Sequence, residues 1–323
     1  MNLFDSLTQK ISGKQIKIVF PEGTEARVLG AAARLQKENL LHAIVLGDPA
    51  KIKQVAAKNQ FDLTGLELIN PATATNFDDL VAAFVKRRKG KNTAEQAQKM
   101  LLDENYFGTM LVYTGLADGM VSGAVHATGD TVRPALQIIK TKPGISRTSG
   151  AFIMQKGDQR YLFADCAINL DPNAQELAEI AVTSAKTAAL FDIEPHVAML
   201  SFSTKGSAKG EMVTKVQEAT KLAQQAAPDY AIDGELQFDA AFVPKVAKQK
   251  APDSKVAGQA TVFVFPELQS GNIGYKIAQR FGGFEAIGPV LQGLNQPVSD
   301  LSRGASQEDV YKLAIITAAQ TLV

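Results

Sequence analysis

Between Asn295 and Asp309 the chain reads Asn-Gln-Pro-Val-Ser-Asp-Leu-Ser302-Arg303-Gly304-Ala305-Ser306-Gln-Glu-Asp309, which puts a hydroxyl, a guanidinium and a carboxylate around one glycine-containing turn ahead of a helix. An acyl transfer to a thiol or to phosphate needs those groups. The arginine fork matches phosphate oxygens, the Ser302 hydroxyl can donate to a developing oxyanion, and a helix start adds N–H groups of the same polarity. Asp309 is then a proton acceptor. Ser306-x-x-Asp309 also has the spacing of a capping box, in which Asp309 merely closes the helix N-terminus, and the sequence leaves both readings open.

A second segment has the same polarity. Asp118-Gly-Met-Val-Ser122-Gly123-Ala-Val-His126-Ala-Thr128-Gly129-Asp130-Thr131-Val-Arg133-Pro134 reads as a short strand, a polar glycine-rich loop and a helix beginning near Thr131. Thr128, Thr131 and Arg133 at such a helix start make an anion site, since unpaired N–H groups and the helix dipole favour negative charge there. Thr128 or Asp130 acting only as a cap, with Arg133 in solvent, fits the same residues. Farther on, Ser201-Phe-Ser203-Thr204-Lys205-Gly206-Ser207-Ala-Lys209-Gly210 follows a strand and opens a helix, so it can offer hydroxyls, a lysine and N–H groups to an anion. It lacks the G-x-x-x-x-G-K-[ST] order of a Walker A loop, and a turn with capping residues explains it too. Ser270-Gly271-Asn272-Ile-Gly274-Tyr275-Lys276 has a similar layout, with glycines that permit close backbone approach and Tyr275 able to line a cleft. An ordinary helix entry is the plainer alternative.

Cys166 is the one cysteine of the chain, so neither an intramolecular disulfide nor a cysteine-based zinc site can form. Its neighbours Leu162-Phe163-Ala164 and Ala167-Ile168 make it a small apolar residue at a strand end, where a thiol stays protonated, and not a nucleophile. His126 lies inside a chemically marked loop, yet nothing near it in sequence fixes its tautomer, so it reads as a supporting group. His42 and His196 fall at expected strand starts and suggest no metal site.

The elements that must position these groups alternate between short β-rich runs and helical periods, which predicts a mostly parallel α/β sheet. Lys17–Pro21 and Ala43–Gly47 read as strands around an amphipathic helix near Glu25–Glu38. Asn76–Lys89 reads as a helix whose basic end, Lys86-Arg87-Arg88-Lys89, suits the helix dipole. The alternation breaks at Ser149–Gln155 and Gln159–Asp165, joined by Lys156-Gly157-Asp158, where a hairpin is expected and the sheet is not wholly parallel. That change places a domain boundary near Pro143-Gly144. Helices Asn173–Leu190, Glu211–Ala226 and Gly274–Phe281 and strands Val197–Ser201, Thr261–Phe265 and Ala286–Leu291 follow.

Composition narrows the class. The 323 residues suffice for about two domains, since single cores stop growing near about 250–300 residues. With 46% hydrophobic and 21% charged residues the chain is neither disordered nor a membrane protein. The longest apolar runs are strand-length and no signal-peptide pattern precedes Ser12, so a cytoplasmic protein is expected. A net charge of +1 is too balanced to suggest nucleic acid, and anion-binding groups must be focused in a cleft. No G-x-G-x-x-G occurs, which argues against a dinucleotide-binding dehydrogenase.

Eight segments together resemble the phosphate acetyltransferases, with part of the pattern shared by phosphate butyryltransferases. They are Asp103-Glu-Asn-Tyr-Phe-Gly-Thr-Met, Ala117-Asp-Gly-Met-Val-Ser-Gly-Ala, Asp130-Thr-Val-Arg-Pro-Ala-Leu-Gln, Phe163-Ala-Asp-Cys-Ala-Ile-Asn, Met199-Leu-Ser-Phe-Ser-Thr-Lys-Gly-Ser, Gln237-Phe-Asp-Ala-Ala-Phe-Val-Pro, Ser270-Gly-Asn-Ile-Gly-Tyr-Lys and Asp300-Leu-Ser-Arg-Gly. The likeness runs almost end to end. Ala305 departs from it, standing where many relatives carry a cysteine, so no role rests on a thiol there.

The resemblance implies a two-domain α/β fold like that of isocitrate and isopropylmalate dehydrogenases, usually as a homodimer. It implies that the chain returns at about Pro297 to complete the first domain (1–144 plus 297–323), with 145–296 as the second and the active-site cleft between them. It also implies exchange of an acetyl group between acetyl phosphate and coenzyme A, with coenzyme A as substrate, no bound cofactor and no metal. Free thiols titrate near ~8.5, so coenzyme A needs a base or a positive field to attack as thiolate. On this reading Asp309 is the base, Arg303 steadies thiolate and phosphate charge, Ser302 donates to the carbonyl oxygen, and Arg133 with Thr128 and Thr131 holds the phosphoryl group. Arg87, Ser203, Lys205, Gly271 and Tyr275 are the remaining substrate-binding candidates that it points to. A butyryl or propionyl enzyme, or a non-catalytic phosphate or coenzyme A sensor, is the alternative.

Overall fold

The computed structural model describes residues 3–322. In chain order its strands are β1 (Lys17–Phe20), β2 (His42–Leu46), β3 (Glu67–Ile69), β4 (Gly119–Ser122), β5 (Ser149–Lys156), β6 (Gln159–Ala164), β7 (His196–Leu200), β8 (Ala231–Leu236), β9 (Val262–Val264), β10 (Glu285–Gln292) and β11 (Val298–Asp300). The chain divides into two compact units, one made of the residues up to Thr141 together with those from Leu294 on, the other of Lys142–Gly293. The crossings fall at 141/142 and 293/294, against a boundary near 144/145 expected from the change of pattern and a return near 296/297 implied by the family resemblance. Thr141 still belongs to the first unit because it bridges antiparallel to Leu294.

The first unit is built on a wholly parallel sheet ordered β11-β4-β1-β2-β3. Parallel strands need helical crossovers that cover both faces, so their sequences read as continuous apolar runs. Ile18, Val19 and Phe20 of β1 and all four residues of β4 are accordingly buried. Helix Ala26–Lys37 turns Val28, Leu29, Ala31, Ala32 and Leu35 inward, the spacing of one helical face. Helix Gln307–Gln320 is buried on nearly every side and packs against helices Leu3–Ile11 and Ala26–Lys37, which anchors the turn that precedes it.

The second unit has a mixed sheet ordered β10-β5-β6-β9-β7-β8. β5 and β6 form the expected hairpin, antiparallel through Lys156↔Gln159 across a two-residue Gly-Asp turn, and β10 adds antiparallel to β5. The β6-β9-β7-β8 half is parallel. Phe163 and Phe263 pack edge-on at 5.3 Å between centroids inside its core.

Two helices begin earlier than their sequences suggest. The helix expected near Thr131 starts at Thr128 and runs to Ile138, so Pro134 lies inside it and not in its first turn. The helix expected from Gly274 starts at Leu268, because Glu267 caps it by accepting from the N–H groups of Gln269 and Ser270. Gly271 is therefore a helical and not a loop residue, and Tyr275 lies within the helix as expected.

Candidate active site

Strands β4 and β11 lie side by side with Ser122 opposite Asp300, so two parallel strands release their loops at the same sheet edge. Open α/β sheets place ligands at such carboxyl ends. Gly123, the first residue beyond β4, has φ +112, and a Cβ there would come within 2.5 Å of Asp300 Oδ1 and 2.7 Å of the Leu301 amide nitrogen. No larger residue fits. Glu22, 4% exposed just beyond β1, organises the rest of this loop. Its Oε2 accepts from the N–H groups of Gly123 at 3.1 Å and Ala124 at 2.8 Å, and its Oε1 from those of Val125 at 2.9 Å and His126 at 3.1 Å. Four consecutive amides thus converge on one carboxylate, an arrangement in which a buried charge is stable.

His126 Nδ1 stands 2.7 Å from the same Glu22 Oε1. This contact corrects the sequence expectation that nothing fixes the tautomer: Nδ1 carries the proton toward Glu22, and in the neutral ring Nε2 is the acceptor. Glu22 and His126 line a cavity of about 290 Å³ together with Gly23, Thr24, Lys51 and Glu104.

Arg27, which sequence reasoning did not single out, ties the two loops together. Its Nη1 donates to the carbonyls of Arg303 at 2.9 Å and Ala305 at 2.6 Å, and its Nη2 to that of Ala124 at 3.1 Å. Nε donates to Glu25 at 2.8 Å, and that bond, ahead of opposing desolvation, lowers the Glu25 pKa. The Arg303 backbone is thereby fixed while its side chain projects from an exposed residue. Ser302 is exposed as well, its Oγ accepting weakly from the Gly304 N–H at 3.3 Å.

Asp309 closes a complete capping box. Ser306 N–H and Oγ–H both donate to Asp309 Oδ2 at 2.8 Å, and Asp309 N–H donates to Ser306 Oγ at 3.1 Å. Oδ1 takes no bond from any described residue.

At the start of helix Thr128–Ile138 the N-cap residue Ala127 supplies no side-chain bond, so the first-turn N–H groups lack that partner. Thr131 and Asp300 are buried beside it, and neither Thr131 Oγ1 nor Asp300 Oδ1 closes a hydrogen bond among the described residues. Burial pushes the Asp300 carboxyl above its ordinary range, the neighbouring Thr128 and Thr131 hydroxyls oppose the rise, and the charge of Glu22 adds to it. Thr128 itself is exposed. Arg133 is mostly in solvent, its guanidinium 3.5 Å from Asp130. Arg87 lies at the opposite end of this helix, donating from Nε to Ile138 O at 2.6 Å and from Nη2 to Ile139 O at 3.1 Å, with its guanidinium over the Tyr113 ring. Ten residues of helix separate those ends by ~15 Å, so one phosphate cannot touch both Thr128 and Arg87.

In the second unit the candidates are more tightly committed to structure. Ser203 is buried, donating to Glu235 Oε1 at 2.8 Å and accepting from the Ala208 N–H at 3.0 Å. The Lys205 ammonium bonds Asp233 Oδ1 and donates to Gly234 O at 3.0 Å, at one edge of a cavity of about 480 Å³ also lined by Gln217, Lys221 and Glu235. A Cβ on Gly271 would come within 2.3 Å of Asp165 O, so close packing of the helix by itself requires a glycine there. Tyr275 stacks on Phe152 at 4.1 Å, and burial raises its pKa. Asp165 repeats the device of Glu22: Oδ1 accepts from the N–H groups of Gly150, Ala167 and Ile168, and Oδ2 from that of Asn169. Cys166 is fully buried, and burial, helped by the Asp165 charge, pushes its thiol well up.

Among the described residues no group of three or more His, Cys, Asp or Glu is placed to hold a metal ion, and no helix is long and apolar enough to cross a membrane. Residues 2–318 match the family described as phosphate acetyl/butaryl transferase. The chain is 61% identical over 321 residues to the phosphate acetyltransferase of Bacillus subtilis (strain 168), covering 99% of each. It is 64% identical over 326 residues to the phosphate acetyltransferase of Staphylococcus epidermidis (strain ATCC 12228 / FDA PCI 1200), again covering 99% of each. A solved phosphotransacetylase from Streptococcus pyogenes superposes with a TM-score of 0.98 at 65% identity, over 99% of this chain and 98% of that one. Sequence matched nearly end to end and a superposing fold lead to one conclusion: the chain belongs to the phosphate acetyl/butaryl transferase family.

Proposed function

We propose that this chain catalyses the reversible transfer of an acetyl group between acetyl phosphate and coenzyme A, directly, with both substrates bound. The observation that supports the reading best is the meeting of the Ser302-Arg303 loop and the Gly123–Thr128 loop at one sheet edge, joined by the Arg27 guanidinium. The first loop brings a hydroxyl and a guanidinium, the second a helix start whose N-cap side chain supplies no bond. In the proposed chemistry Arg133, Thr128 and Thr131 hold the phosphoryl oxygens, which leave as phosphate and need no acid to depart. Ser302 donates to the carbonyl oxygen as it becomes an oxyanion, and Arg303 steadies the charge of thiolate and phosphate. Asp309 accepts the thiol proton at Oδ1 while Oδ2 keeps the cap.

Coenzyme A carries its thiol and its nucleotide phosphates at opposite ends of a long molecule, so Arg87, although ~15 Å from the phosphoryl-binding turn, can serve the far end of that substrate. Lys205 offers a further positive charge beside Ser203, and Gly271 and Tyr275, on helix Leu268–Arg280, complete the proposed substrate-binding set. Coenzyme A and acetyl phosphate are the substrates, with no bound cofactor and no metal in the scheme. A cytoplasmic homodimer belongs to the same reading, and the exposed stripe Ile273, Ile277 and Phe281 along one helix face suits contact with a second copy.

The test is thioester formation from coenzyme A with acetyl, propionyl and butyryl phosphate in parallel, before and after chelator treatment. Acetyl phosphate should react fastest and the chelator should change nothing. Failure of every acyl phosphate would refute the enzyme reading, a faster butyryl reaction would move the assignment within the family, and loss of activity with chelator would refute the metal-free scheme.

A further inference from the structure

We propose that Lys140 is an acceptor site for non-enzymatic acetylation by acetyl phosphate, kept reactive and supplied with its anionic donor by the cations clustered around it. The donor is the substrate of the proposed reaction, and to that extent the inference rests on that reading. Lys140 follows helix Thr128–Ile138 with φ +65 and is held there at both backbone groups: its N–H donates to Ala135 O at 2.9 Å, and its carbonyl accepts from the Asn295 N–H at 2.9 Å. The carbonyls at that helix end, which would ordinarily attract a lysine ammonium, are taken by arginines. Arg87 bonds Ile138 O and Ile139 O, and Arg88 Nη1 donates to Gln137 O at 3.4 Å. Helix Phe77–Arg88 thereby holds its basic end, with exposed Lys89 and Lys91 beyond it, close to the Lys140 side chain.

Lys140 is fully exposed and forms no ion pair with a carboxylate among the described residues. The charge of Arg87, then slight desolvation, then Lys89, Lys91 and Arg88 lower its pKa, so its free amine is more available than that of an isolated surface lysine. The same positive potential gathers a multiply charged acyl phosphate. In the step itself the Nζ lone pair attacks the acetyl carbonyl, an N–C bond forms, the C–O bond to the phosphoryl group breaks, and phosphate leaves with that electron pair. The ammonium proton goes to water or buffer. The product is an amide, and one positive charge of the cluster is lost.

The experiment incubates the purified full chain with acetyl phosphate in the absence of coenzyme A and follows each lysine by peptide mass spectrometry. Initial acetylation at Lys140 should exceed that at the exposed Lys53 and Lys58 by about three- to tenfold at low salt, and the excess should vanish at about 1 M salt, where the Debye length falls to ~3 Å. The double variant Lys89→Asn with Lys91→Gln should lower the Lys140 rate at least about twofold while its circular dichroism matches wild type; asparagine tolerates the left-handed backbone that Lys89 adopts. Equal rates at Lys140 and Lys53 would overturn the proposal, and so would an excess that survives both high salt and the double variant. Because no coenzyme A is present, a chain that fails to form thioester but acetylates Lys140 separates this inference from the proposed function.

Discussion

Asp309 holds two assignments on its two oxygens, and a pair of variants divides them. Ser306→Ala removes the hydroxyl half of the cap and should cost about 0.5–2 kcal/mol of stability, read by urea unfolding, with turnover little changed. Asp309→Asn keeps an acceptor for the N–H groups but cannot take a thiol proton, so kcat should fall about 10²–10⁴-fold, with partial recovery at high pH where the thiol ionises unaided. Equal turnover in Asp309→Asn and wild type, with chemistry rate-limiting, would leave Asp309 as a cap alone. Arg303→Lys keeps the charge and loses the fork, and should cost on the order of 10²–10³ in turnover; near-normal kinetics would put Arg303 outside the chemical step. Cys166→Ala should keep turnover and sequential kinetics, because burial holds the thiol protonated, and an acetylated Cys166 on the pathway would contradict that. The capping box, Cys166 and the Ser302-Arg303 turn were legible because each is a local pattern. Glu22 was not, since its amide partners lie 101 to 104 positions away, and an isolated glutamate beyond a strand carries no signal of what it will meet.

Among the elements, the recurring device is a buried carboxylate beyond a strand that gathers several backbone N–H groups, from a distant loop for Glu22 and from its own following residues and β5 for Asp165. Glu22 does this in the first unit and Asp165 in the second, while Glu235 accepts from the Gly206 N–H at 2.7 Å and from the Ser203 hydroxyl. Glu22→Gln preserves volume but removes the charge and points an amide toward donors. Unfolding free energy should drop by about 1.5–3 kcal/mol or more, since bonds to charged groups are the stronger class. A Glu22→Gln protein with unchanged urea midpoint would mean that the loop keeps its shape without the carboxylate. Long apolar strands and amphipathic helices were readable from periodicity alone, as in β1 and helix Ala26–Lys37. β8 escaped because Ala-Ile-Asp-Gly-Glu-Leu carries strand-poor residues at its centre, and β11 because three residues make no period. The early start of helix Thr128–Ile138 was hidden because its N-cap residue, Ala127, has no capping side chain to mark the first turn.

For the molecule as a whole, the proposed second copy gives a direct measurement. Phe281 is 91% exposed at the end of the Ile273-Ile277 stripe, and Phe281→Asp should halve the mass read by light scattering if that face joins two chains. A wild-type monomer, or a variant that remains dimeric, would reject the face. The division into two units was partly legible, because the hairpin at Gly157-Asp158 interrupts a parallel pattern, whereas the return of the chain came only from the family likeness. That return has a consequence for synthesis. β11 is the edge strand that pairs with β4, and it is translated after the whole of Lys142–Gly293. A nascent chain on the ribosome therefore carries β4 as an unprotected sheet edge for some 150 residues of elongation, at ≈ 5–20 residues/s, while the inserted unit can already be complete. Any chaperone that attends this protein during translation is expected to find its work on the unit begun first and finished last.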